Sequence, residues 1–307
     1  MPAKFPVWQQ ERCRQNANCL VLNAFLKVNI HQVTIIGVGH IGGSVALALQ
    51  KHSRVNRVVG CDRESVLETA RRLGVIDEGI TDPVDACKNS DVVVLATPVG
   101  AIIDLIERVG PILSNEVLLT DVGSTKSEIV ARARSVFGDS AATRFLPGHP
   151  MAGREHAGVE HADADLFTHA VWLVTPIAGQ EHPLTNDYSR LLETMGARVV
   201  AMDPERHDRL CAWISHLPQM VTTAVAGCLV DEFGDDPDLF AIGGRALREI
   251  TRTAASPYSM WRDIALTNTQ NLQEALLRLE QRLAHIRENL RTRGLEEEFD
   301  RAHRLKK

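Results

Sequence analysis

Two polar side chains, His149 and Ser124, follow apolar segments at points where a strand would end, and both could assist proton transfer. His149 stands between Gly148 and Pro150, which constrain its backbone. Imidazole exchanges a proton near neutral pH, so His149 is a candidate general base, with a structural core histidine as the alternative. The hydroxyl of Ser124 could hydrogen-bond a ring nitrogen or a substrate hydroxyl, or cap a helix predicted to begin at Lys126.

A second group of polar side chains lies more than sixty residues further along the chain. Arg245, Arg248 and Arg252 are spaced so that a helix over residues 243–253 would place them on one face. Guanidinium groups suit carboxylate ligands, although this spacing also fits a solvated basic face. Two further polar heads stand beside a proline that disturbs a helix, in the segment Ser215-His216-Leu217-Pro218-Gln219.

A glycine-rich turn predicts binding of a dinucleotide. The β-branched run 33–36 leads directly into Gly37-Val38-Gly39-His40-Ile41-Gly42, and an apolar helical pattern follows. In such a turn the first glycine permits the tight bend, the second lets a pyrophosphate approach, and the third allows close helix–strand packing. The phosphates would bind the free N–H groups at the helix N-terminus. A structural glycine turn in another α/β protein is the alternative.

The residue after the second predicted strand bears on which dinucleotide binds. Asp62 follows the run 57–61, and a carboxylate there can accept hydrogen bonds from the ribose hydroxyls while repelling a 2′-phosphate. NAD is therefore the expected cofactor. Arg63 comes next and could bind a 2′-phosphate, so NADP stays possible.

These groups need a scaffold, and the apolar pattern predicts one. Strand-like runs cover residues 33–36, 57–60, 91–96, 117–121, 144–147, 171–174 and 198–202, and helical patterns separate several of them. Buried strands alternating with helices are typical of an α/β protein with a Rossmann-type, doubly wound, mostly parallel sheet. Ligands of such sheets bind beyond the carboxyl ends of the strands, where Thr97-Pro98 and the two segments carrying Ser124 and His149 stand.

The chain divides into three predicted parts. Residues 31–202 form the dinucleotide-binding domain, and residues 1–30 precede it as an extension without the features of a signal peptide. Strand signals vanish after Asp203-Pro204, so residues 203–307 are predicted to be all-helical. A stripe of leucines (Leu272, Leu276, Leu279, Leu283) indicates core or a subunit interface, and we expect a homodimer through this helical part.

Composition excludes several classes of protein. The 307 residues are 44% hydrophobic and 24% charged. The net charge of −5 lacks the basic excess that is typical of nucleic-acid-binding proteins, so no nucleic acid partner is expected. The six cysteines show no C-x-x-C spacing, which indicates reduced thiols of a cytoplasmic protein and predicts no metal site. No apolar run is long enough to span a bilayer, so no membrane association is expected.

Six motifs occur in order along the chain: Gly37-Val38-Gly39-His40-Ile41-Gly42-Gly43-Ser44, Asp121-Val122-Gly123-Ser124-Thr125-Lys126, Gly148-His149-Pro150-Met151-Ala152-Gly153, Ser215-His216-Leu217-Pro218, Thr251-Arg252 and Met260-Trp261-Arg262-Asp263. Together they resemble the prephenate/arogenate (cyclohexadienyl) dehydrogenase family of tyrosine biosynthesis. The likeness extends from residue 31 to about residue 290. It implies a Rossmann domain joined to a helical dimerisation domain, and NAD-dependent oxidation of a cyclohexadiene with loss of carbon dioxide.

The resemblance also implies roles for single residues. His149 would take the proton of the ring hydroxyl, Ser124 would orient both, and Arg252 would bind the ring carboxylate. His216 would line the pocket, and Glu155 stands where the family carries an acid that gates the site.

Two further positions bear on the substrate. Arg248 matches an often basic position that would meet the side-chain carboxylate. Gln219 stands where some members carry a second histidine, which leaves the choice between prephenate and L-arogenate open.

Two other interpretations remain. Two-domain dehydrogenases of β-hydroxy acids usually rely on a lysine or another donor in their helical half, and residues 203–269 contain no lysine. A non-catalytic NAD-binding protein would have no need of His149, Ser124 and Arg252 together.

Overall fold

The computed structural model describes residues 30–52, 55–153, 157–179 and 181–306. Of the predicted N-terminal extension only Ile30, whose side chain is buried, belongs to this part. The described chain has a first half built on β-sheets and a second half built of helices, in that order.

Six parallel strands form the main sheet: β1 (Gln32–Ile36), β2 (Arg57–Cys61), β3 (Glu78–Ile80), β4 (Val92–Leu95), β5 (Leu118–Asp121) and β6 (Phe145–Leu146). Their order across the sheet is β3-β2-β1-β4-β5-β6, and every pairing is parallel. The strands β1, β4 and β5 are buried along their whole length, as expected where helices cover both faces. The predicted Rossmann-type sheet is confirmed, while the short β3 has no apolar run and escaped prediction.

Six helices accompany this sheet: α1 (His40–His52), α2 (Glu64–Arg72), α3 (Pro83–Ala86), α4 (Val99–Val109), α5 (Ser127–Phe137) and α6 (Ala141–Arg144). Alternate strand residues face opposite sides, so the sheet separates two hydrophobic clusters. Val92 and Val94 pack in the cluster that contains α1, whereas Val93 and Leu95 pack in the cluster that contains α4 and α5.

A second, three-stranded sheet follows, where the sequence predicted a single one. Its strands are β7 (Gly148–Pro150), β8 (Val171–Val174) and β9 (Arg198–Ala201), with α7 (Thr185–Thr194) between the last two. β7 pairs antiparallel with β8, and β8 pairs parallel with β9. Pro147 has no N–H for the main sheet, and Gly148 donates its N–H to Oδ1 of Asp121 (3.1 Å). The chain therefore leaves the main sheet between β6 and β7.

The second half is helical, as predicted. It consists of α8 (Pro204–Cys211), a π-helical turn (Ala212–His216), α9 (Leu217–Phe233), α10 (Pro237–Ile242), α11 (Arg245–Ala254), α12 (Tyr258–Thr267), α13 (Thr269–Glu288) and α14 (Arg293–His303). α11 and α14 contain no buried residue. Of the leucine stripe only Leu272 is buried, and Leu283 is exposed. Among the described helices none is both long and apolar enough to cross a membrane.

Aspartates of the helical half cap two helices of the sheet half. Neither α4 nor α5 has a side-chain cap from its own N-cap residue. Instead, Oδ2 of Asp263 accepts the N–H of Gly100 (3.0 Å) in α4, and Asp208 accepts the N–H groups of Lys126 (2.7 Å) and Ser127 (2.8 Å) at α5. Each carboxylate thus accepts backbone N–H groups that have no partner within the helix, at the positive end of that helix.

Candidate active site

The glycine-rich turn after β1 has the geometry that its sequence predicts. Gly37 adopts a φ of +98°, and a Cβ atom there would lie 2.6 Å from the carbonyl oxygen of Ala96. A Cβ atom on Gly42 would overlap the carbonyl oxygen of Gly37. At Gly39, by contrast, no atom lies within 4 Å of that position. The turn is therefore tight beneath Gly37 and Gly42 and open above Gly39, where a pyrophosphate could approach.

Asp62 faces this turn from the end of β2. Its Oδ2 accepts the N–H of Val38 (2.9 Å), and its Oδ1 accepts the N–H of Arg63 (2.7 Å). These donors fix the carboxylate, whose side chain is 21% exposed and keeps lone pairs for a ribose. The guanidinium of Arg63 is 85% exposed and lies 3.9 Å from Asp62. Asp62, Arg63, Gly37 and Thr97 line a cavity of about 350 Å³.

A larger cavity of about 700 Å³ lies at the carboxyl edge of the main sheet and is lined by both halves of the chain. The sheet half contributes residues of the glycine-rich turn (Gly39, His40, Ile41), the segment Thr97-Pro98, Ser124 and His149. The helical half contributes Arg252, Trp261 and residues between them. Thr97 lines both cavities, so a ligand could extend from Asp62 to His149. Imidazole, hydroxyl and guanidinium groups therefore surround one space.

His149 is buried and takes part in a hydrogen-bond chain that sequence reasoning missed. Its Nδ1 lies 2.9 Å from Nε2 of His207 on α8, and Nδ1 of His207 lies 2.8 Å from Oδ1 of Asp208. Asp208 is the same carboxylate that caps α5. Bonding at Nδ1 leaves Nε2, on the other side of the ring, as the nitrogen of His149 that can serve a ligand in the cavity.

Burial governs the charge of these histidines. It holds the pKa of His149 well below its usual range, and the nearby His207, Lys126 and His216 act in the same direction. Burial also lowers the pKa of His207, but there Asp208 opposes the effect. His149 is thus a neutral imidazole near pH 7, which is the form a general base requires. The pKa of Asp208 is lowered in spite of its burial, because His207 and the amides of α5 donate to the carboxylate.

Ser124 lines the cavity, whereas the cap of α5 comes from elsewhere. The sequence left open whether its hydroxyl caps that helix; the helix begins at Ser127 and its amide donors go to Asp208. The predicted contact between Ser124 and the ring of His149 stays a prediction.

A buried ion pair holds the segments of Ser124 and His149 together. Nζ of Lys126 donates to Oδ2 of Asp121, and both side chains are 0% exposed. Oδ2 of Asp121 also accepts the N–H of Gly123 (2.7 Å), and Oδ1 accepts that of Gly148 (3.1 Å). Burial lowers the pKa of Lys126 while Asp121 opposes this shift. One carboxylate therefore positions the residue before Ser124 and the residue before His149.

The π-helical turn sets the place of His216. Pro218 follows it without an N–H, and a widened turn is a common accommodation of such a residue. Nδ1 of His216 accepts the amide of Asn268 (3.2 Å), and its ring lies edge-on to Trp261 at 5.9 Å. Burial lowers the pKa of His216 to about 4. Its neighbours Ile214, Ser215 and Trp261 line the cavity, so His216 lies behind the wall that they form.

The remaining predicted substrate residues divide by position. Arg252 lines the cavity, with its side chain 53% exposed and Nη2 3.1 Å from Oε2 of Glu249. Arg248 is exposed and does not line it. Gln219 is buried and donates from Nε2 to the carbonyl oxygen of Thr253 (3.1 Å), so it ties α9 to the helix that carries Arg252. Glu155 lies outside the described residues.

One cluster in the described part of the chain has the side chains of a metal site. A ring nitrogen of each of His149 and His207 and the sulfur of Cys211 lie within 4.8 Å of one another. The two nitrogens are at hydrogen-bond distance, and burial raises the pKa of the Cys211 thiol to about 12. A protonated thiol and a hydrogen-bonded imidazole pair favour a proton-exchanging cluster over a metal centre.

Known proteins of one family resemble this chain along nearly all of its described length. The family model "Prephenate dehydrogenase, nucleotide-binding domain" matches residues 45–201, and "Prephenate dehydrogenase, dimerization domain" matches residues 203–305. A prephenate dehydrogenase of Bacillus subtilis is 36% identical over 248 residues, which are 78% of this chain and 65% of that protein. The chain thus spans just under two thirds of that relative.

Two further proteins show the same relationship. A cyclohexadienyl dehydrogenase of Zymomonas mobilis is 30% identical over 246 residues, which are 80% of this chain and 83% of that protein. The crystal structure of a prephenate dehydrogenase from A. aeolicus, in complex with hydroxyphenyl propionate and NAD+, matches with a TM-score of 0.81 and 31% identity. That match covers 92% of this chain and 98% of the other.

Proposed function

The chain belongs to the prephenate dehydrogenase family, and we propose that it converts prephenate to 4-hydroxyphenylpyruvate by NAD-dependent oxidative decarboxylation. One observation carries the proposal: a neutral imidazole from the sheet half and a guanidinium from the helical half line one cavity beside the glycine-rich turn. A base and a carboxylate-binding group are the two elements that this reaction requires of the protein.

The residues of the first half fit NAD. The open space above Gly39 admits the pyrophosphate, and the fixed carboxylate of Asp62 can bind the ribose hydroxyls. When bound, the nicotinamide accepts the hydride that leaves the hydroxyl-bearing ring carbon. Asp62 would repel the 2′-phosphate of NADP, while the exposed Arg63 keeps NADP as the second candidate.

His149 performs the proton transfer in this proposal. As hydride leaves, the ring carbon becomes carbonyl-like, and Nε2 of His149 removes the hydroxyl proton. Arg252 binds the carboxylate on the ring and fixes the substrate relative to the base. Carbon dioxide then departs and the ring becomes aromatic, which drives the reaction. Ser124 supplies a hydroxyl in the same cavity for the substrate oxygen.

L-Arogenate is the second candidate substrate, since a cyclohexadienyl dehydrogenase is among the relatives of this chain. The two substrates differ in the side chain, which is pyruvyl in prephenate and alanyl in L-arogenate. Two of the relatives reported above, from Bacillus subtilis and A. aeolicus, are prephenate dehydrogenases. This favours prephenate.

We further propose that the chain forms a homodimer through its helical half. The matching model of residues 203–305 is a dimerization domain. Large apolar side chains of this half remain exposed, among them Ile242 (83%) and Phe240 (63%). Exposed apolar area of this kind marks an interaction surface. Sedimentation should give a dimer at micromolar concentration, and a compact monomer would contradict the proposal.

The location of the protein also stays a proposal. The four cysteines of the described chain, Cys61, Cys87, Cys211 and Cys228, form no disulfide. Free thiols are typical of the cytoplasm, which is where we place the enzyme.

Absorbance at 340 nm tests the activity directly. Purified protein is mixed with prephenate or L-arogenate, each with NAD or NADP, and kcat/KM is compared for the four pairs. Prephenate with NAD should give the highest value. Absence of NADH formation with both substrates, in protein that still binds NAD, would refute the proposed function.

A further inference from the structure

Two buried side chains outside the cavity, His207 and Asp208, continue from its candidate base. Building on the proposed function, we propose that His207 is a positioning residue for His149: it fixes the tautomer in which Nε2 is basic, and it receives the Nδ1 proton while Asp208 balances the charge. The chain runs from His149 on β7 through His207 to Asp208, both on α8. None of these three side chains is more than 8% exposed.

The direction of each hydrogen bond follows from the far end of the chain. Asp208 accepts the N–H groups of Lys126 and Ser127 at the N-terminus of α5, where both the donors and the helix dipole stabilise a negative charge. An ionised carboxylate can only accept hydrogen bonds. Nδ1 of His207 therefore carries a proton, and its Nε2 is an acceptor.

The direction of the hydrogen bond between the two imidazoles follows. Since Nε2 of His207 accepts, Nδ1 of His149 must carry the proton and donate it across 2.9 Å. A neutral imidazole holds one proton, so Nε2 of His149 is left with its lone pair. Asp208 thus sets the state of a nitrogen two rings away, and that state is the one a general base needs.

Proton transfer through the chain balances. The substrate O–H bond breaks and an N–H bond forms at Nε2 of His149. The N–H bond at Nδ1 of His149 breaks, and one forms at Nε2 of His207. His149 is neutral again, and His207 is an imidazolium next to the carboxylate of Asp208.

The surroundings of the two rings favour this final state. The charged and titratable groups that act on His149 are Lys126, His207 and His216, and all of them disfavour a positive charge there. His207 faces Lys126 as well, but it also faces the carboxylates of Asp208 and Asp121 and, at 3.7 Å, the thiol of Cys211. A positive charge is therefore better accommodated on His207 than on His149.

The test uses His207→Gln in the full-length enzyme. A glutamine oxygen can still accept from Nδ1 of His149, but the amide cannot hold the proton. We expect kcat for prephenate to fall about 10- to 100-fold, a part of the full effect of general-base catalysis, with KM and NAD affinity unchanged.

Asp208→Asn and a control variant complete the kinetic arm. Without the carboxylate of Asp208, a proton on the His149–His207 pair is less stable. The acidic limb of the kcat–pH profile should therefore move to lower pH, and the maximal kcat should fall. His182→Gln removes another buried histidine, which bonds Asn115 and Leu184 away from the cavity, and should leave kcat within twofold. Wild-type kcat and pH profile in both His207→Gln and Asp208→Asn would overturn the relay.

A measurement without substrate separates this inference from the proposed function. Imidazole ¹⁵N shifts of wild-type protein, assigned with His149→Asn and His207→Gln, report which nitrogen of each ring is protonated. Both rings should be protonated at Nδ1. Protonation of His149 at Nε2 would overturn the inference, whether or not the enzyme oxidises prephenate.

Discussion

Lys126→Met tests whether the buried pair with Asp121 holds the two catalytic segments in place. The substitution keeps an unbranched side chain of similar length and removes the ammonium group. Asp121, which is 0% exposed, would lose its cationic partner and keep only the N–H groups of Gly123 and Gly148. Removing one member of a buried pair costs ~3–5 kcal/mol. Because two backbone donors remain, we expect the lower end, about 3 kcal/mol.

Urea unfolding at pH 7 measures this loss. With a slope of about 3 kcal/mol per molar, the midpoint should fall by about 1 M. Asp121→Asn in the same background removes the stranded charge and keeps an acceptor oxygen. The double variant should therefore lose about 2 kcal/mol less free energy of unfolding than the two single substitutions lose in sum.

Two results would refute this reasoning. The first is a Lys126→Met protein within 0.5 kcal/mol of the wild type, about the effect of an ordinary surface substitution. The second is additivity of the two single substitutions, which would show that the charges do not interact. In either case the shared carboxylate would not be what positions Ser124 and His149.

Three further outcomes are expected. His149→Asn should lower kcat by about 10²–10⁴-fold, because general-base help is lost, while fluorescence titration shows unchanged NAD affinity; near-normal turnover would remove this histidine from the mechanism. Arg252→Gln should raise KM for prephenate more than it lowers kcat, since the carboxylate is bound in ground and transition states alike. Arg245→Gln, at an exposed position outside the cavity lining, is the matched control, and equal KM in both variants would contradict the assignment. Because the pKa of His216 is about 4 when folded and near 6.5 when unfolded, its burial should cost up to about 3 kcal/mol of stability as pH falls from 6.5 to 4; a His216→Asn protein that loses stability as steeply as wild type over that range would be inconsistent with this origin.

Local pattern was enough to predict the nucleotide-binding half. The turn at Gly37 and Gly42 is dictated by close backbone approach, which only glycine permits, so its sequence predicts its geometry. Strands such as β4 and β5 are short apolar runs buried on both faces, and that composition predicts a covered parallel sheet. The second sheet was missed because β8 and β9 are short strand-like runs like those of the main sheet, and a local pattern does not show which strands pair with one another.

The support of the site depends on contacts between distant residues. His149 and His207 are 58 positions apart, and Asp208 caps a helix whose first residue lies 81 positions earlier. In sequence, a histidine and an aspartate in the first turns of a predicted helix resemble ordinary surface residues. Nothing local distinguishes them, and their burial became visible only when the two halves were brought together.

Helical spacing likewise predicted a face but not its surroundings. Arg245, Arg248 and Arg252 do lie on one helix, yet only Arg252 reaches the cavity lining. The family resemblance assigns Gln219 to substrate binding, whereas its side-chain amide donates hydrogen bonds to Thr223 and Thr253. Which part of a helix meets a cavity is set by packing against other elements, and spacing carries no information about that.

The two aspartates that cap α4 and α5, Asp263 and Asp208, also join the helical half of the molecule to the sheet half. Movement of one half away from the other would leave the N–H groups of Gly100, Lys126 and Ser127 without their acceptors. It would also separate the imidazoles of His149 and His207. At about 1 kcal/mol or more for each bond, fewer than about one molecule in a hundred would be open at any moment. The contacts between the two halves therefore keep the site assembled in nearly all molecules before any ligand arrives.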